Sequence, residues 1–266
     1  MQKLFLTLLF TFIYFTKPTI YNITPVSTNI EGIFSSIKAG DQIIMNEGEY
    51  NIGNITINNI VGTISNPTII KADGVVKISN SQYCRFLISS SNFLILQGPI
   101  IFTNFIISIF MSSDISINNV KVNAYNKDKD NQIWYSNNIE ISNGEISNGN
   151  QIKIDTSDKV KILNCLFYNN NIGININSGN YITIYNNTFK NNIKTNLLLT
   201  SSNNNIINGN YFFSDSEKEK NVDLEDSMNN FILTNNVIVG GLNSLNIVEQ
   251  MLYNNSKSSL IFLIGI

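Results

Sequence analysis

Along most of this chain polar and apolar residues alternate in short runs, and the runs recur in groups. Ile152-Lys153-Ile154 and Val160-Lys161-Ile162 show the pattern. Every second residue is aliphatic, the period of a strand with one buried face. The groups at 114–120, 137–146, 158–167, 180–189, 203–212 and 228–238 share one plan: a polar turn, an alternating run around Ile, an Asn- or Gly-containing corner, then another apolar residue. Taking the corners as Asn119, Gly144, Cys165, Asn187, Asn210 and Asn236, the repeat lengths are 25, 21, 22, 23 and 26 residues.

A repeat of that size made of strands is a stacked coil. The chain is therefore expected to be all-β, a single-stranded right-handed parallel β-helix with an N-terminal cap. A leucine-rich repeat needs a Leu framework that is absent, and helical repeats need a 3.6-residue period that is equally absent. Ile suits the strands. Asn suits the corners, because it tolerates left-handed backbone and bonds locally. Stacked in one column, its amides are expected to form a hydrogen-bonded ladder.

The pattern changes at both ends. Residues 1–20 read as a secretory signal, with Lys3 ahead of an apolar run at 4–15 and Lys17-Pro18 after it. No small-x-small cleavage site is visible, so an uncleaved membrane anchor is the alternative. Residues 21–50 are expected to form the cap, with a short amphipathic helix near 30–37, a turn at Ala39-Gly40-Asp41, a strand over 42–45 and a second turn over 47–50. Coils then fill 51–266. The stretch 214–226 is dense in charge, with Asp215, Glu217, Lys218, Glu219, Lys220, Asp223, Glu225 and Asp226. It reads as a solvated loop, with a calcium or partner site as the sharper alternative. The apolar tail at 260–266 either finishes the last coil, reflects a truncated gene model, or is an exposed sticky end.

Composition narrows the function. The chain has 266 residues, 43% hydrophobic, enough for one elongated domain. Charged residues make up only 14%, the net charge is −2 and Arg85 is the single arginine, so no basic stripe points to nucleic acid. Histidine is absent, which removes the commonest general base and metal ligand. Cys84 and Cys165 fall several coils apart and are expected to be core thiols. Asn22, Asn54, Asn186 and Asn254 head glycosylation sequons, which Asn-rich chains also produce by chance. The expected state is a monomer, secreted or at the cell surface.

Several segments carry a resemblance: Ala39-Gly40-Asp41-Gln42-Ile43-Ile44, Gly48-Glu49-Tyr50, Gly62-Thr63, Asn66-Pro67-Thr68-Ile69-Ile70-Lys71-Ala72 and Ser91-Asn92-Phe93-Leu94-Ile95-Leu96-Gln97-Gly98. Together they resemble the opening of the chondroitinase B/alginate lyase family of polysaccharide lyases, over roughly residues 35–104. The resemblance implies a pectin-lyase-like β-helix and β-elimination from uronic-acid polymers, with a Lys base, an assisting Arg and calcium at the substrate carboxylate. The motif around that Lys is best matched by Gln151-Ile152-Lys153-Ile154-Asp155-Thr156-Ser157. There Asp155 falls at the Lys position, Asn177 near the Arg position and neutral Gln151 near an acidic calcium ligand. The catalytic set does not carry over.

Stacking the coils gives a different site. Gln132, Lys153, Asn175 and Leu198 are expected in one outward column; Trp134, Asp155, Asn177 and Thr200 in the next; Ile133, Ile154, Ile176 and Leu199 inward between them. The only Trp of the chain then stands beside amides and a carboxylate, a plausible sugar platform made of Trp134, Gln132, Lys153, Asp155, Asn175 and Asn177. The blander reading packs Trp134 under the loop at 125–130 and leaves Lys153 and Asp155 as a surface pair. Lys153 and Asp155 are the weak catalytic candidates, because a base must be neutral and an adjacent carboxylate favours the ammonium. Glu140 and Glu145 lie across a corner from each other and do not suit paired-carboxylate hydrolysis. Three function classes follow: a glycan-binding, degenerate lyase-like β-helix; an active lyase or glycoside hydrolase, with calcium as its one implied metal; and a structural or adhesive spacer.

Overall fold

A computed structural model describes residues 17–215, 220–225, 227, 231–232, 235–240 and 262–264. The expected signal run at 4–15 and Asn254 lie outside them. The chain is a parallel β-helix of about nine turns. Each full coil contributes one strand to each of three faces. The first face includes Asn137–Ser142, Lys161–Leu163, Thr183–Tyr185 and Ile206–Asn208; the second includes Glu145–Ser147, Leu166–Tyr168, Thr188–Lys190 and Tyr211–Phe213; the third includes Asn131–Trp134, Ile152–Asp155, Ile172–Asn177 and Thr195–Thr200. All inter-coil pairings among these strands are parallel.

The inward residues of the three faces make one continuous core. Ile162, Ile184 and Ile207 come from the first face, Phe167, Phe189 and Phe212 from the second, and Ile154, Ile176 and Leu199 from the third. The three phenylalanines stack at 4.9 and 4.8 Å between ring centroids, nearly parallel at 14° and 11°. That spacing is the strand separation itself, so one residue type in one column becomes a stack without further design.

The corners are held by polar side chains that accept the backbone N–H of the preceding coil. Between the first and second faces, Cys165 N–H donates to Asn187 Oδ1 at 2.8 Å, Asn187 N–H to Asn210 Oδ1 at 2.9 Å and Asn210 N–H to Asn236 Oδ1 at 2.9 Å. The amide nitrogens of Asn187 and Asn210 extend the same ladder at 3.1 Å. Cys165 keeps the column intact by offering Sγ to the Gly144 N–H at 3.4 Å. A serine column guards the corner after the third face, where the N–H groups of Ser91, Ser112 and Ser136 donate to the hydroxyls of Ser112, Ser136 and Ser157 at 3.1, 3.2 and 3.1 Å. Each bond satisfies a buried donor that the bend has removed from the sheet.

Three expectations are corrected. Asn119 does not belong to the buried column: Lys121 pairs with Glu145, which aligns Asn119 with Asn143. Asn119, Asn143, Asn164 and Asn186 are the exposed residues just before the column, with φ of 55°, 55°, 54° and 54°; the amides of Asn186, Asn164 and Asn143 donate in turn to Asn164, Asn143 and Asn118, a second ladder on the surface. Gly144 itself is required by space, since a Cβ there would lie 2.8 Å from the Val120 carbonyl oxygen. The charged stretch 214–226 is not one loop: Lys220–Glu225 forms a strand on the third face, with Val222 opposite Leu197 and Leu224 opposite Leu199. Lys220 and Glu225 take outward positions, and Asp223, though buried, is paired with Lys220 at 2.6 Å. The turn expected over 47–50 is a register shift within a continuous strand, Gln42–Asn51.

Nearer the N-terminus, Ile20–Ile23 pairs with 42–45 at the edge of the first face. A short helix, Ile30–Ser36, buries Ile30 and Phe34 and sets the Phe34 ring edge-on to Phe86 at 6.1 Å. Cys84 and Cys165 are both buried and free. Near the other end, Phe262–Ile264 pairs with Val237–Val239, so the tail adds a strand to the second face.

Asn210→Ala removes the partners of the Asn187 N–H and the Ile184 carbonyl, and is expected to lower unfolding stability by about 2–4 kcal/mol. Asn164→Gly, in the exposed ladder and at positive φ, is expected to change it by less than about 1 kcal/mol; urea titration of both variants checks the contrast. Burial pushes the Cys165 thiol from its ordinary 9.0 up to about 11. The folded chain therefore holds the proton that the unfolded chain releases, and its contribution, complete below pH 9, is lost as pH rises toward 11. Stability measured across this window is expected to fall less steeply for Cys165→Ser than for the parent.

Candidate functional site

The third face carries the site. Its register sets Gln132 beside Lys153, Lys153 beside Asn175 and Asn175 beside Leu198; Trp134, Asp155, Asn177 and Thr200 follow the same order one step over. Ile133, Ile154, Ile176 and Leu199 are buried between the two columns. The sequence-derived columns are therefore the real ones. Gln132, Trp134, Lys153 and Asp155 line a shallow depression of about 70 Å³.

Trp134 is 40% exposed and does not stand alone. Its ring stacks on Tyr135 at 5.3 Å and 18°, and Phe110, its neighbour on the preceding coil, meets it edge-on at 5.7 Å. Consecutive residues of a strand point to opposite faces, so Tyr135 would ordinarily turn away. Its φ of 49° breaks the alternation at the corner and returns its ring alongside Trp134. Both Phe110 and Tyr135 were missed in the sequence. The coil register identifies Phe110, whereas nothing in the alternation marks Tyr135.

The loop after 123 does not bury this cluster. Asn150 Nδ2 donates to Asp130 Oδ1 at 2.6 Å, and Asn171 Nδ2 donates to the Lys127 carbonyl at 2.9 Å. These bonds pin the loop to the corner where the strand begins, three residues before Trp134.

Lys153 and Asp155 do form the expected pair, Nζ to Oδ2 at 3.1 Å. The carboxylate is held further: Asn177 Nδ2 donates to its Oδ1 at 3.0 Å and Thr156 Oγ1 at 3.2 Å. Its side chain is only 18% exposed. Gln132 and Asn175 make no side-chain hydrogen bond among the described residues. Gln151 is buried and its Oε1 has no partner there either.

These residues do not fit the calcium site that the resemblance implies. The acidic position is a neutral, buried Gln151, the Asp155 carboxylate is engaged by an ammonium and an amide, and no cluster of three acidic, His or Cys ligands occurs among the described residues. Nor do the remaining acids converge. Glu140 lies on the first face opposite Lys161, while Glu145 lies on the second, paired with Lys121 at 3.0 Å and accepting from Tyr168 Oη at 2.8 Å. Asp114 and Asp158 are taken up at turns by Asn138 and Asn180. The geometry offers an aromatic surface, amide hydrogen-bonding groups and one compensated ion pair.

No protein-family model and no curated protein matches the sequence. Solved structures do. A PL6 family polysaccharide lyase from Pseudopedobacter saltans is 18% identical with a TM-score of 0.59, covering 82% of this chain and 63% of its own. A mannuronic acid specific polysaccharide family 6 lyase from human gut microbiota is 13% identical with a TM-score of 0.57, covering 86% and 66%. An alginate lyase from Paenibacillus sp. str. FPU-7 is 11% identical with a TM-score of 0.51, covering 93% and 91%. The chain thus spans less than two thirds of the length of the first two. At these identities the likeness is one of fold: this chain shares its β-helix with polysaccharide lyases.

Proposed function

We propose that this chain is a carbohydrate-associated β-helix protein that binds a glycan along its third face without the elimination chemistry of lyases built on the same fold. The observation that carries this reading is the exposed Trp134–Tyr135 stack, set beside the unpartnered amide of Gln132 in the same strand and, in the coil register, beside Lys153 and Asp155. Aromatic rings cover the C–H faces of a pyranose and amides meet its hydroxyls. Asn177 belongs to the site through its hold on Asp155.

Two features support absence of elimination. Asp155 and Asn177 fall at or near the positions where the resembled motif has Lys and Arg, and the nearest ammonium, Lys153, is tied to a carboxylate. A base must present a free lone pair within reach of the proton it takes. Secretion through the N-terminal segment accords with this role. The sequon residues Asn22, Asn54 and Asn186 are all exposed, as glycan acceptors must be.

Trp134 is the only tryptophan, so its fluorescence reports the strip alone. Titration of the protein with glycan oligosaccharides is expected to shift that emission saturably, and Trp134→Ala is expected to weaken retention on the same glycans at least about tenfold. Unchanged retention in Trp134→Ala would move the site elsewhere. Incubation with uronic-acid polymers, with and without calcium, is expected to give no rise in the absorbance of unsaturated product. A rise that vanishes in Lys153→Ala would make the chain a lyase with a rearranged site.

A further inference from the structure

The charges around the strip constrain its ligand more closely than the rings do. An acidic polysaccharide needs a cation free to meet its carboxylates. Lys153 is the only cation in the depression, and it is compensated by Asp155 at 3.1 Å. Asp155 cannot readily swing aside, because Asn177 and Thr156 fix its Oδ1. The adjoining loop adds Lys127 and Lys129 but also Asp128 and Asp130, which cancel them. Further along the same face, Lys220 pairs with Asp223 at 2.6 Å and Glu225 leaves a net negative end. Arg85 lies two coils before Gln132's coil and at the opposite edge of its strand from Trp134, opposite Ile106.

What remains open along the strip is neutral. Gln132 presents its amide while Asn175 keeps its Oδ1 buried, and Trp134 and Tyr135 present ring surfaces whose polar tips make no hydrogen bond among the described residues. A uronate entering here would have to displace Asp155 from Lys153 or lie unpaired beside it, which costs free energy for a partly desolvated charge. A neutral sugar meets no such barrier.

We infer that the third-face strip selects a neutral glycan, a polymer of hexose or N-acetylhexosamine, and that the Asp155 carboxylate is the specificity-determining group that excludes polyuronates by neutralising Lys153. This rests on the glycan-binding reading of the same strip. The ion pair acts as a built-in decoy: the protein's own carboxylate occupies the position that a substrate carboxylate would need.

The test uses the full chain, with neutral β-glucan and chitin oligosaccharides and with oligomannuronate and oligogalacturonate as probes, read by Trp134 emission and by retention on immobilised glycan. The parent is expected to hold a neutral probe and to ignore the uronates. Asp155→Asn keeps a side-chain acceptor for Asn177 while freeing the ammonium, and is expected to raise uronate affinity by about tenfold or more, with the gain lost above about 0.3 M salt. Asp155→Ser, which removes the carboxylate with a smaller side chain, is expected to do the same should the first variant fold poorly. If the parent prefers uronates and Trp134→Ala abolishes that binding, the strip is a glycan site and the selectivity inference is overturned. If folded Asp155 variants gain no uronate affinity, the decoy role is overturned although neutral binding stands. If no probe is held at all, the glycan reading and this inference fall together.

Discussion

Everything in this molecule depends on satisfying backbone groups at the corners. Along the faces each coil finds its partners in the next by parallel pairing, but three times per turn the chain bends and its N–H groups leave the sheet. Burying such a donor unpaired costs about 1–3 kcal/mol, and the penalty recurs in every coil. The solution is one acceptor per corner, presented to the coil before it: Asn187, Asn210 and Asn236 at one, Ser112, Ser136 and Ser157 at another. Once those acceptors are in column, the side chains between them have no freedom of register. The phenylalanine stack and the outward columns of the third face are consequences of that alignment.

Much of this was legible because period and chemistry agree. Alternation fixed which residues face inward, and the repeat length fixed which coil neighbour each outward residue meets, so the Gln132–Lys153–Asn175 and Trp134–Asp155–Asn177 columns could be written from spacing alone. One residue type fills two roles at the corner, however. Asn tolerates left-handed backbone and also serves as a buried acceptor, and at the first corner these two roles fall on consecutive positions. Asn119 was assigned to the second role and performs the first. At 220–225 the eye follows charge, yet Val222 and Leu224 still face the core; outward positions accept Lys and Glu as readily as Ser or Thr, and the buried Asp223 is held by Lys220.

The aromatic platform shows where sequence patterning stops. Phe110 follows from register, but Tyr135 reaches the same side as Trp134 only because its backbone adopts φ of 49°. Left-handed backbone costs an ordinary residue about 1–2 kcal/mol, and the stacked coils impose it on this corner throughout, at Thr156, Ser178 and Ser201 as well. The fold thus bears the cost at every turn, and the site gains a second ring from a conformation that exists for architectural reasons. The same face shows the reverse economy in charge: a Lys that sequence spacing made conspicuous is spent on the residue two places along.

Cys165 carries a consequence for how such a chain can change. It stands between Gly144 and the asparagines Asn187, Asn210 and Asn236 of the column, and its sulfur still receives the N–H of the coil before it while its own N–H goes to Asn187. The column therefore specifies an acceptor at a given height and leaves the identity of the side chain free. A whole turn could be duplicated, deleted or grafted from another solenoid with its outward residues untouched, so long as both seams present an acceptor at that height. Length and surface chemistry can in this way drift independently, which gives a lineage of such chains room to change what they hold without relearning how to fold.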